Sequence, residues 1–284
     1  ITRIEYMKYF SNAEKSIAAY IILNGNAILS LSGKELAKAT YTSPSAVVRF
    51  CKKLGCKGFN EFKAIYAKEN LPDPIPGSSV DANFPFQNED TIQTITSQLA
   101  LLEKESVEHT IRLLDFQKFT RAGDVIDASS NTFLFGVAES ISYALNFQYN
   151  MLRIGKNVII NHISGNEYIL SCKLKKKDCA ILLYMEENPC IVNIARILRH
   201  RGIRSIAVTS IENNALRRLT NYHIPVISTE RPSLKIAPFS TGISFQFILN
   251  LIYCYIFSKK YKENCEYKLK NDQLTEVTNK DKTI

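Results

Sequence analysis

The chain has 284 residues, with 36 Lys and Arg against 27 Asp and Glu, a formal charge of +9. That length holds one large domain or two ordinary ones, and 45% apolar residues are enough for a packed core, which excludes a disordered chain. Eleven Gly and nine Pro exclude collagen-like and low-complexity architectures.

Seven Cys stand at 51, 56, 172, 179, 190, 254 and 265 with no C-x-x-C pair, so the usual zinc spacing is absent and no metal or other cofactor is expected. With no secretory signal, the reduced cytoplasm is the expected compartment. The longest apolar run, Ile243 to Phe257, is broken by Ser244, Gln246 and Asn250. It is shorter than the ~18 residues a membrane span needs, so it reads as a buried helix and no membrane partner is expected.

Charge is concentrated at the start. Residues 1–70 carry eleven Lys and Arg and five acids, a net +6. A basic small domain is an electrostatic footprint for nucleic acid, though charge alone also fits a merely soluble surface.

The helices of this head announce themselves by their caps. Ser11 to Glu14 is a capping box ahead of Ile17, Ala18, Tyr20, Ile21 and Ile22, and Asn24-Gly25-Asn26 ends that helix. Ser32 to Glu35 is a second capping box, and Thr40-Tyr41-Thr42 is a turn. Ser43 then caps a helix with Pro44 at its first position, Val48 and Cys51 spaced to face inward, and Gly55 as its stop; Phe59 to Lys68 is a further helix.

Two short helices joined by a tight turn form a helix-turn-helix. The outer side of its second helix is expected to present Ser45, Ala46, Arg49, Lys52 and Lys53, beside Ser43 at its start and Lys57 beyond it. Small residues let the backbone approach base edges, Arg49 suits guanine or a phosphate, and the lysines suit phosphates. The other role open to Arg49 is an ion pair inside the bundle.

Residues 71–90 form a linker, because Pro72, Pro74 and Pro76 followed by Gly77-Ser78-Ser79 cannot be helical. A helix is expected from near Glu89 to about Leu114. From 132 the pattern alternates. Strands are expected at Thr132–Val137, Asn157–Ile160, Cys179–Leu183, Ile203–Val208 and His223–Ile227, with helices at Ser140–Arg153, Ile191–Arg201 and Asn214–Thr220. Such alternation predicts an α/β body, a doubly wound parallel five-stranded sheet at about 91–260, with ligands beyond the carboxyl ends of the strands. The stretch 261–284 is a polar tail that reads as partly disordered.

Residues 31 to 63, with the core S-x-x-x-V-V-R-F-C-x-K-L-G at Ser43 to Gly55, resemble the RpiR/MurR family of bacterial transcription regulators. The body at about 115–260 resembles that family's sugar isomerase (SIS) domain. The resemblance implies a homodimeric or homotetrameric regulator whose sugar-derived effector, a sugar phosphate in the family, tunes its binding to a double-stranded DNA operator.

Two loops depart from the family pattern. G-x-G-x-S after the first strand is Gly136-Val137-Ala138-Glu139-Ser140 here, and S-x-S-G-x-T after the third is Tyr184-Met185-Glu186-Glu187-Asn188-Pro189. Thr209-Ser210 keeps the family's hydroxyls after the fourth. Like charges at about 4 Å repel by ~1 kcal/mol in water and ~4 kcal/mol at an effective dielectric near 20. Lost hydrogen bonds to a charged group cost a further ~1.5–3 kcal/mol each. The ordinary phosphosugar mode is therefore disfavoured. Glu139, Glu186 and Glu187 either receive a cationic or amino-bearing ligand, with Ser140 and Tyr184 as further ligand-binding candidates, or form a solvated acidic loop on a ligand-free dimerisation domain. An isomerase is the competing class, but no His/Glu pair is placed by motif and no catalytic residue is assigned.

Overall fold

The computed structural model describes residues 10–70, 79–136, 140–160, 165–184, 189–210, 215–230 and 235–280. The chain divides into two units, Ile1–Leu102 with Thr229–Pro238, and Glu103–Ser228 with Phe239–Ile284.

The described part of the first unit begins with the helices α1 (Asn12–Asn24), α2 (Gly33–Ala39), α3 (Pro44–Lys53) and α4 (Phe59–Asn70), with a 3-10 turn at Gly25–Ser30. Both capping boxes form. The Glu14 carboxylate accepts from the Ser11 N–H at 2.7 Å and that of Glu35 from the Ser32 N–H at 2.6 Å, which holds both carboxyls below their ordinary range. Ile17, Ile21, Ile28, Leu36, Val47 and Phe50 make one core, closed by Phe62 set edge-on to Phe50 at 6.1 Å. Later in this unit, Asn83 joins two distant stretches of sequence: its amide donates to the Thr229 carbonyl at 3.5 Å, and its carbonyl accepts from the Ile236 N–H at 3.2 Å.

Helix α5 (Ile92–Leu113) contains the division at Leu102. The second unit continues with α6 (Phe116–Asp127), β1 (Thr132–Phe135), α7 (Ser140–Leu152), β2 (Val158–Ile160), α8 (Glu167–Lys173), β3 (Cys179–Tyr184), α9 (Pro189–His200), β4 (Arg204–Ser210), α10 (Ala215–Leu219), β5 (Tyr222–Val226), α11 (Phe239–Lys259) and α12 (Tyr261–Lys280). The five strands pair in parallel in the order β2-β1-β3-β4-β5. Alternate strand residues feed two cores, as the two-residue period requires. Leu134, Ile181 and Ile206 meet α6, α7 and α11 on one face, while Phe135, Leu182 and Ala207 meet α9 and α10 on the other.

Helix α11 is long and apolar enough to cross a membrane, with half of its apolar window buried in the protein. Phe245, Ile248, Leu249 and Ile252 are among its core residues, as expected of a helix apolar on all sides. The polar tail departs from expectation: Tyr261–Lys280 is helical rather than partly disordered. Arg153 and Lys268 both pair with Asp272 at 3.4 Å along it.

Candidate nucleic-acid interface and effector pocket

Helices α2 and α3 form the helix-turn-helix. The Ser43 hydroxyl accepts from the Ala46 N–H at 3.2 Å, fixing the start of α3, and contacts the Ser45 hydroxyl at 2.8 Å. Phe50 and Cys51 set the rotation of the helix by packing into the core beside Ala46 and Val47. The exposed face is therefore Ser45, Val48, Arg49 and Lys52, at helical spacings of three, four and seven.

Three placements differ from the sequence reading. Ala46 is 4% exposed and faces the core, because it lies one turn before Phe50 on the buried side. Val47, not Val48, is the inward valine; Val48 is 40% exposed on the outer face. Lys53 turns back toward α1, pairing with Glu14 at 3.0 Å above the Phe10 ring. Arg49 is exposed and has no acidic partner among the described residues. Lys52 and Lys57 are exposed as well.

The turn itself is a Schellman motif, in which the Tyr41 N–H donates to the Lys38 carbonyl at 3.2 Å and the Thr42 N–H to Ala37 at 2.8 Å. Gly55, Gly155 and Gly202 close other helices by the same pair of bonds and have φ of +91°, +73° and +67°. Tyr41 is the one described non-glycine residue with positive φ, at +52°. Its side chain is 99% exposed. A side chain in this left-handed region costs roughly 1–2 kcal/mol.

In the second unit, the described effector candidates gather at the carboxyl ends of the three central strands. Ser140 opens α7 beside Gly136, where any Cβ would collide with the Ser140 hydroxyl. Gly136 is thus required for that serine to sit against the end of β1. Tyr184 ends β3 in register with Thr209 of β4. Tyr184 is only 4% exposed and packs in the core between the sheet and α9. Thr209 is buried and Ser210 half-buried, with the Ser210 carbonyl accepting from His223 Nε2 at 3.3 Å. Glu139, Glu186 and Glu187 lie outside the described residues.

A separate cleft of about 440 Å³ follows β5, one of the two edge strands of the sheet, lined by Lys118 and Arg121 of α6, Arg217 of α10, and Tyr222, His223 and Pro225. Among the described residues no group of three or more His, Cys, Asp or Glu side chains is placed to hold a metal ion.

A helix-turn-helix ahead of an all-parallel five-stranded sheet defines a DNA-binding regulator with an SIS-type body, and the comparisons with known proteins agree. Residues 2–71 match the model of the helix-turn-helix domain of the rpiR family. An uncharacterized HTH-type transcriptional regulator of Caldanaerobacter subterraneus subsp. tengcongensis is 23% identical over 264 residues, 93% of this chain and 92% of its own. The Vibrio vulnificus NanR protein complexed with ManNAc-6P superposes with a TM-score of 0.61 at 19% identity, over 98% of each chain. The sugar isomerase domain of an RpiR transcription factor from Sphaerobacter thermophilus matches 63% of this chain and 98% of its own, with a TM-score of 0.56 at 14% identity. The chain is thus a helix-turn-helix transcriptional regulator whose head, residues 2–71, matches the rpiR-family domain and whose body has an SIS-type fold.

Proposed function

We propose that the protein is a cytoplasmic, non-enzymatic regulator that binds a roughly palindromic operator as a homodimer or homotetramer, with residues 1–70 as the reading head, 71–90 as its linker and 91–260 as the effector and assembly domain. The observation that carries the reading is the exposed face of α3. Ser45, Val48, Arg49 and Lys52 stand in one row while the opposite side of the helix is core. In a major groove, Arg49 suits a bidentate contact to guanine, Val48 an apolar contact to a thymine methyl, and Lys52 a phosphate. Ser43 and Ser45 stand where the helix start meets base edges, with Lys57 available to the backbone beyond. Ala46 and Lys53 serve the head from within, by packing and by the pair with Glu14.

The test begins with duplexes that the full-length protein enriches from a random pool. Arg49→Ala should weaken binding to the enriched sequence by about 1–3 kcal/mol and relax its preference at one base pair. Unchanged affinity and preference would remove Arg49 from the interface.

Vibrio vulnificus NanR was solved with a sugar phosphate, so a sugar derivative is the effector class to examine first. Ser140, Thr209 and Ser210 would supply hydroxyl donors at the strand ends, with Tyr184 beneath them as packing. Glu139, Glu186 and Glu187 oppose a phosphate and favour an amino-bearing ligand. An effector changes operator affinity only by binding the two head arrangements unequally.

A further inference from the structure

We propose that Tyr41 is a DNA-contact residue whose phenol hydroxyl donates to a phosphate oxygen at the wall of the groove that α3 enters. The inference rests on the DNA-binding reading and adds a residue that the exposed face of α3 does not include.

The turn does not use the Tyr41 side chain. Its closing bonds come from the backbone N–H groups of Tyr41 and Thr42. Thr40 reinforces it through its hydroxyl, which bonds the Leu36 carbonyl at 2.8 Å and the Thr42 hydroxyl at 2.9 Å. The ring, at 99% exposure, packs against none of the described residues. At the same position of the same motif the described residues include glycine at 55, 155 and 202. Tyr41 is therefore unfavourable on two counts: its backbone is strained and its aromatic face is left in water. Strain of this kind collects where function over-determines a residue.

Location supplies the function. Tyr41 stands two residues before Ser43, the cap of α3. Where the start of a recognition helix enters the major groove, the chain just before it passes the sugar–phosphate backbone. Tyrosine is among the side chains that bond phosphate oxygens there, and a hydrogen bond to a charged oxygen is the stronger kind.

The experiment compares full-length wild type, Tyr41→Gly, Tyr41→Phe and Arg49→Ala for thermal stability and for binding to an enriched duplex and a scrambled duplex. Tyr41→Gly should melt about 2–4 °C higher, since glycine relieves the strain. It should nonetheless bind both duplexes about fivefold to tenfold more weakly, because a phosphate contact carries no base information. Tyr41→Phe keeps the ring and the strain and should lose most of the same affinity. Two results would overturn the assignment: Tyr41→Gly binding as tightly as wild type, or a loss confined to the enriched sequence. If Arg49→Ala loses affinity while both Tyr41 variants keep theirs, only Tyr41 is wrong. If neither position matters, the recognition face itself is misplaced.

Discussion

His223 shows how one side chain couples the fold to pH. Burial pushes its imidazole below the ordinary value of 6.5; the Ser210 carbonyl opposes that, and the charges of Arg217 and Lys118 add to it. The folded protein thus resists a proton that the unfolded chain accepts. The stabilisation is complete above the unfolded value and is lost as pH falls through 6.5 toward the lower folded value. His223→Gln should flatten the pH dependence of the denaturation midpoint below about 6.5; an unchanged slope would show that other groups dominate it. Cys51 is the opposite case. Burial, with the neighbouring Cys56 thiol adding to it, pushes its pKa to about 12, so its sulfur is a packing atom rather than a nucleophile.

At the scale of elements, two glycines set how closely the helices of the first layer approach. A Cβ at Gly123 of α6 would strike the Tyr255 ring of α11, and one at Gly242 of α11 would strike the Tyr143 hydroxyl of α7. Gly242→Ala should cost about 1–3 kcal/mol in chemical denaturation. Tyr143→Phe, by removing the obstructing oxygen, should recover part of that loss in the double variant; strict additivity would mean the clash is relieved elsewhere. The strands were legible because buried parallel strands read as short apolar runs between helical stretches. The capping boxes and the glycine stops were legible because they are local chemistry. The phase of α3 was harder to read. Val47 and Val48 are adjacent and equally apolar, and only the burial of Phe50 three positions after Val47 decides which turns inward. Helix α12 was not legible because Lys, Glu, Asn and Gln surround it without an apolar stripe.

Over the whole molecule, the proposed effector class follows from the charges of Glu139, Glu186 and Glu187. If repulsion is what opposes a phosphate, Glu186→Ser with Glu187→Gly should raise affinity for a hexose 6-phosphate by about tenfold or more, measured by calorimetry. No gain would mean that repulsion by these two carboxylates is not what opposes the phosphate. The altered loop sequences were visible from the chain alone, whereas the burial of Tyr184 was not, because the face a strand residue takes depends on which helices cover it. The unit that contains the recognition helix draws on two stretches of sequence, Ile1–Leu102 and Thr229–Pro238, joined through Asn83. Its inheritance is therefore not modular. A recombination event with one crossover near residue 102 would hand a relative the reading head but leave the Thr229–Pro238 stretch behind. A chimera that exchanges heads between regulators must carry that short stretch across as well, or lose the contacts that Asn83 makes to it.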